Sequence, residues 1–132
     1  MNFTLLCIAL LGLLVFAGGF YVSLCRNKAG LGSGYPDDPT DTLHKAVRAH
    51  ANAVEYAPFA AILIYAIGQT GAVLVAWVPW AMGALVLARY CHFAGMVMSA
   101  SIAKPQPLRF VGALGTYIVG TFLCVYLAYL SF

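Results

Sequence analysis

Four apolar runs decide what this chain can become. They extend approximately over residues 3–24, 46–71, 75–100 and 109–130, and each is near the ~20 residues that an α-helix needs to cross the hydrocarbon of a bilayer. Together they use almost all of the 132 residues. None alternates apolar and polar residues with the period of two that marks a membrane barrel strand. The expected fold is an all-α membrane protein: a single four-transmembrane-helix domain over residues 1–132, with residues 25–45 as its one substantial polar loop. Composition excludes the alternative. With 63% hydrophobic and 8% charged residues, against about 25% charged in a soluble domain, no soluble fold of this length hides the apolar surface.

The formal charge of +3 reads as topology rather than as affinity for nucleic acid, because the basic residues are dispersed and track the ends of the apolar runs. Arg26, Lys28, Lys45 and Arg48 flank the first loop, and Lys104 and Arg109 flank the third. The second loop, around Gln69 to Ala76, has no Lys or Arg. The positive-inside rule therefore puts loops one and three in the cytoplasm and both termini outside. The first run lacks a basic leader and a small-residue cleavage site, so it is expected to stay as an anchor. Cys7, Cys25, Cys91 and Cys124 show no metal-type spacing and read as buried small apolar residues. Cys7 and Cys124 fall near one membrane level, which permits a disulfide without predicting one.

One polar stretch interrupts this apolar chain. Arg48-Ala49-His50-Ala51-Asn52-Ala53-Val54-Glu55-Tyr56-Ala57-Pro58 opens the second run, and on a helix Arg48, Asn52 and Glu55 share one face while His50 points the other way. A guanidinium, an amide and a carboxylate on one stripe are costly against acyl chains, so the stripe is expected to face other helices or a watery cavity. Asp41 or Thr42 is a suitable N-cap, which would start this helix ahead of the membrane. Pro58 removes the amide that would bond Val54 and predicts a kink.

The third run begins with Trp77, Pro79 and Trp80, suited to an interfacial helix start, and holds Arg89 and His92 in its interior. At ~1.5 Å per residue, Glu55 and His92 each lie about 10 Å in from the basic ends of their helices, with Arg89 one turn deeper. That matching depth predicts an Arg89–Glu55 pair, since either charge alone would be expensive. Gly12, Gly18 and Gly19 in the first run suit close approach of a neighbour. Gly112, Thr116 and Gly120 in the fourth make a small-residue stripe fit for a close helix contact, within or between subunits.

The motif Arg48-Ala49-His50-Ala51-Asn52 with Glu55-Tyr56 and Pro58, opening the second of four helices in a chain of this length, closely resembles the membrane-associated proteins in eicosanoid and glutathione metabolism (MAPEG). These include microsomal glutathione transferases, leukotriene C synthase, microsomal prostaglandin E synthase and a non-enzymatic lipoxygenase-activating protein. The resemblance covers the whole chain in topology, and its specific motifs cover helix two, part of helix three and Pro107-Leu108-Arg109. It implies a homotrimer with glutathione bound between subunits near the cytoplasmic face. It further implies that Arg48, Asn52, Glu55, Tyr56, Arg89 and His92 hold glutathione and that Arg109 stabilises its thiolate. The chemistry agrees, since glutathione carries two carboxylates and an amine that call for Arg donors and a Glu acceptor. A cation beside the thiol also raises the fraction of nucleophilic thiolate. Two positions depart from the family's enzymes: Met96 stands where several have a tyrosine, and the linker over residues 99–107 is poorer in arginine.

The expected function is a glutathione-dependent transferase or peroxidase acting on a small lipophilic electrophile drawn from the bilayer. The alternative is a non-catalytic binding or scaffold protein in which Arg48, Glu55 and Arg89 form a structural network. A proton-coupled transporter using Glu55 and His92 is a third reading, without the repeats or broken helix pairs that would support it. His44, His50 and His92 make no metal spacing, and no Ser/His/Asp arrangement, phosphate loop or nucleic-acid motif is visible.

Overall fold

A computed structural model describes residues 2–71 and 75–132. Residues 72–74, part of the basic-free second loop, lie outside the described residues. The described chain forms four helices: α1 (Phe3–Ala29), α2 (Thr42–Gln69), α3 (Trp77–Val97) and α4 (Pro107–Tyr129). Each is long and apolar enough to cross a membrane, and among the described residues there is no strand. The protein is a multi-pass membrane helix bundle.

Capping chemistry, more than the edges of the apolar runs, sets the helix ends. Asn2 caps α1, its side chain accepting the Leu5 amide at 3.2 Å. At the other end α1 continues about a turn beyond the apolar run, carrying Arg26 and Lys28 in its last turn, and stops at Gly30 in the left-handed conformation (φ 67°). The Gly30 and Leu31 amides there donate to the Asn27 and Arg26 carbonyls, closing carbonyls that a fraying end would leave open. Asp41 accepts the His44 amide at 3.0 Å and starts α2 at Thr42, ahead of its apolar run. The same helix runs on through Pro58. Gln106 accepts the Arg109 amide at 2.6 Å, with Pro107 in the first turn of α4, where its missing donor is harmless. Helix α3 is shorter than its apolar run, ending at Val97, and the Ser99 hydroxyl turns back to donate to the Met96 carbonyl at 2.8 Å.

The helices pack chiefly as two antiparallel pairs, α1 with α2 and α3 with α4, joined through α2–α3. Small residues mark each close approach. His50 and Phe93 fill the space over Gly18, and His50 also lies over Gly19; Thr4 lies over Gly68 near the opposite end. A Cβ at Gly95 would collide with the backbone of Arg109, and one at Gly112 with the backbones of Ala88 and His92. The stripe of Gly112 and Thr116 therefore faces α3 inside the subunit rather than a neighbouring chain. The core includes Cys7, Leu11, Ile64, Ile67, Val78, Met82, Leu85 and Leu123. At the far end from loops one and three, Trp77 packs on Phe122 and Tyr126, while Trp80 is exposed. All four cysteines are free thiols.

Loops one and three meet at one end of the bundle. The Ile102 amide donates to the Pro39 carbonyl at 3.0 Å, and Lys45 Nζ donates to the Ser99 carbonyl at 3.0 Å. Within loop one, Asp38 Oδ1 accepts both the Thr40 amide and the Thr40 hydroxyl at 2.8 Å. Those two donors hold its carboxyl below the usual carboxylate range.

Candidate functional site

Arg89 is the most deeply buried charge in the protein, 1% exposed between α2, α3 and α4. Its Nη2 donates to Asn52 Oδ1 at 2.6 Å and to the Asn52 carbonyl at 3.2 Å, and its Nη1 reaches Thr116 Oγ1 at 3.4 Å. The guanidinium carbon lies 4.9 Å from the centre of the Tyr56 ring, a cation–π contact. Thr116 is oriented by donating its own hydroxyl to the Gly112 carbonyl at 2.7 Å. Nε has no partner. The cation is thus held by an amide, a hydroxyl and an aromatic face, and the expected Arg89–Glu55 pair is absent from its contacts. Asn52 and Glu55 are three residues apart, and α2 turns the amide toward α3 while leaving the carboxylate exposed.

Arg48 and Glu55 both stand exposed on α2, and among the described residues neither makes a hydrogen bond or ion pair within the subunit. His50 faces away from them, half-buried against Gly18 and Gly19 of α1. Of the Arg48, Asn52 and Glu55 stripe, therefore, only Asn52 turns inward, and Tyr56 beside it does the same.

His92 and Arg109 form a second group at the α3–α4 contact. The His92 ring is 8% exposed, with Nδ1 3.0 Å from the Arg109 carbonyl oxygen. The Arg109 guanidinium folds back on the linker, donating to the Ile102 carbonyl at 2.7 Å and the Lys104 carbonyl at 3.2 Å. His92, Gln106 and Arg109 line a cavity of about 640 Å³ whose other walls include Pro105, Pro107 and Phe110. One subunit therefore distributes the seven expected site residues over three places: Asn52, Tyr56 and Arg89 inside, His92 and Arg109 at the α3–α4 cavity, Arg48 and Glu55 on the outer face of α2.

Two residues join the inner group that the sequence did not single out for it. Thr116 reads in sequence as one small residue of a packing stripe, yet its hydroxyl meets Arg89. Tyr117 reads as one of many tyrosines, yet its ring lies 5.9 Å from that of Tyr56. Thr116 stands four residues beyond Gly112, and that spacing is the one signal available, since it turns Thr116 toward the α3 face that Gly112 touches; Tyr117, one residue further, lies on a different face and carries no such signal. Tyr56, Thr116 and Tyr117 also form one end of an apolar groove of about 420 Å³ between α2 and α4, which runs past Phe59 and Leu63 to Cys124 and Leu127. Among the described residues, no group of three or more His, Cys, Asp or Glu side chains is placed to hold a metal ion.

Comparison with known proteins turns on the length of chain matched. The profile of the MAPEG family matches residues 4–129, which takes in all four helices but for Phe3 and every residue of the three groups above. The chain belongs to the MAPEG family. No curated protein and no solved structure matches it significantly. The family contains glutathione transferases as well as members without catalytic activity, so membership supports the membrane-helix architecture and leaves both the ligand and the activity to the residues.

Proposed function

We propose that this MAPEG protein is a glutathione-dependent transferase or peroxidase that works as a homotrimer on small lipophilic electrophiles. The observation that carries the reading is the exposure of Arg48 and Glu55 on a membrane helix without partners in their own subunit. Glu55 stands at the middle of α2 (Thr42–Gln69), and an ionised carboxylate at the centre of a membrane helix costs ~2.5 kcal/mol or more against lipid. A neighbouring copy that covers this face of α2 and encloses a polar ligand removes that cost. Arg48 then pairs with a glutathione carboxylate and Glu55 accepts from its amino group. Asn52 and Tyr56 extend the same contact inward, and Arg89 holds Asn52 in place from behind. His92 and Arg109 of an adjoining copy complete the site at the thiol. The apolar groove beside Tyr56 and Tyr117 suits the lipophilic partner, whose tail has the bilayer as its source. With loops one and three in the cytoplasm, glutathione enters from the side on which it is made abundant by the cell's reducing chemistry.

A second reading is a non-catalytic binding protein that keeps the assembly without activating a thiol. It is favoured by the Arg109 guanidinium, which spends two of its donors on the Ile102 and Lys104 carbonyls, and by Met96, which places no hydroxyl near His92.

The test is a glutathione titration of purified protein in detergent, following heat and the ultraviolet absorbance of the thiolate, repeated with Arg109→Ala. Binding with thiolate formation that Arg109→Ala abolishes supports the transferase or peroxidase. Binding without a thiolate signal supports the second reading, and an absence of binding removes both the transferase and the peroxidase.

A further inference from the structure

The cavity at the α3–α4 contact contains an unusual pairing of hydrogen-bonding roles. A backbone carbonyl has no proton to give, so the 3.0 Å contact between His92 Nδ1 and the Arg109 carbonyl places the ring proton on Nδ1. In the neutral imidazole Nε2 then carries a lone pair. Nε2 has no hydrogen-bond partner in the subunit, yet Arg89 Nε is the one sealed and unpartnered side-chain nitrogen or oxygen among the described residues. Nε2 is therefore not sealed, and His92 is one of the residues that line the cavity. The spacing of the two helices here is fixed, because Gly112 packs directly on the His92 backbone and Gly95 on that of Arg109.

The other polar side chains of the cavity offer donors. Arg109 has five N–H groups and gives two to the linker carbonyls, which leaves three. Gln106 uses its oxygen on the Arg109 amide at 2.6 Å, which leaves its NH₂. A lone acceptor nitrogen among several cationic or neutral donors is equipped to take a proton from a weak acid and to hold the anion that results. The charged groups around the ring are Arg89, one turn earlier on α3, and Arg109 on α4. Both are cations and oppose an isolated imidazolium, so the ring gains its proton only while the anion is beside it.

We propose that His92 is the catalytic proton acceptor for the thiol of glutathione, an inference that rests on the glutathione reading above. The S–H bond breaks with its electron pair left on sulfur, and the proton goes to Nε2. The thiolate faces the free N–H groups of Arg109, and the Arg109 carbonyl holds the imidazolium through Nδ1–H. When sulfur forms its bond to an electrophilic carbon, Nε2–H returns the proton to the atom that receives the displaced electron pair. The division of labour is definite: Arg109 stabilises the anion and His92 keeps the proton inside the site.

The variant that isolates this role is His92→Asn, whose side-chain N–H replaces the Nδ1 donor to the Arg109 carbonyl and offers no base at Nε2. Full-length protein in detergent is titrated with glutathione and with S-methylglutathione, which has no thiol proton. Thiolate absorbance is followed, and protons released are counted by calorimetry in buffers of different ionisation enthalpy. The wild type is expected to form thiolate on binding with essentially no proton released. At saturating ligand the thiolate signal of His92→Asn is expected to fall at least about tenfold, a conservative share of what a positioned base supplies, and S-methylglutathione binding measured alongside separates that loss from any change in affinity. An unchanged thiolate signal in His92→Asn overturns the proposal. So does a wild type that releases one proton to solvent for each thiolate formed, a result that stands even where the variant fails to fold. If the wild type binds neither ligand, the glutathione reading itself falls, and that outcome is distinct from the other two.

Discussion

Removing the Asn52 side chain should cost more than its size suggests, because it strands a buried cation. Asn52→Ala deletes Oδ1, the acceptor at 2.6 Å and the shortest contact that Arg89 makes. What remains is the Asn52 carbonyl at 3.2 Å, Thr116 Oγ1 at 3.4 Å and the Tyr56 face at 4.9 Å, around a guanidinium whose Nε already has no partner. A hydrogen bond to a charged group contributes ~1.5–3 kcal/mol, and the under-solvated donor left behind raises the loss, so about 2–4 kcal/mol is expected. Arg89→Met removes the charge together with its desolvation penalty and leaves mainly an unsatisfied amide, so it should cost less, about 1–2 kcal/mol. In the double variant the amide and the cation are gone together, and its loss should be close to that of Arg89→Met alone. The assay is equilibrium unfolding in mixed micelles, monitored by tryptophan fluorescence, for the four members of the cycle. A coupling about equal to the Asn52→Ala loss itself, about 2–4 kcal/mol, is predicted; losses that add to within ~0.5 kcal/mol would show that Asn52 is not what holds Arg89.

Further predictions follow from the packing and the loops. Gly112→Ala puts a Cβ 2.7 Å from the Ala88 carbonyl oxygen and from His92 Cα, so α3 and α4 must part by about 1 Å and lose ~1–3 kcal/mol. Gly12→Ala, with nothing within 4 Å, is the control, and equal melting temperatures for the two variants would contradict the close approach. Asp38 has its carboxyl held below its ordinary 3.8 by the Thr40 donors. Its contribution is therefore complete above the unfolded value and lost as pH falls through the lower folded one; amide exchange at Thr40 should accelerate only below about pH 4, and Asp38→Ala should make it fast at all pH values. Lys45→Met removes the donor to the Ser99 carbonyl and should speed exchange around the end of α3 by several-fold, with little change at α1.

Most of the architecture was legible because lipid is an undemanding code. Any run of about twenty apolar residues reads as a span, and four of them leave little else to decide. Helix ends were less legible where hydropathy and capping diverge: Arg26 and Lys28 look like loop by composition, yet Gly30 terminates α1 only after them. The inner site was half legible. Depth along the helices brought Arg89 near the level of Glu55, but depth carries no rotation, and the turn of α2 gave Arg89 the amide of Asn52 instead of the carboxylate. Thr116 and Tyr117 stayed hidden because a threonine in a small-residue stripe and a tyrosine in an aromatic-rich chain look ordinary until α4 is set against α3 and α2. The fold-back of Arg109 onto Ile102 and Lys104 depends on the path of a linker with no periodicity, and periodicity is the signal that sequence reading uses.

The central claim is that the exposed Arg48 and Glu55 of one copy and the His92 and Arg109 of another make a single glutathione site. It is tested most directly by mixing two variants, Glu55→Gln and Arg109→Ala, unfolded together and reassembled, then measuring thiolate formation with glutathione. Each variant alone should give almost no signal. Random assembly pairs an intact Glu55 with an intact Arg109 across about a quarter of interfaces, so the mixture should recover about a quarter of the wild-type amplitude. A mixture as silent as its components would contradict a site shared between subunits.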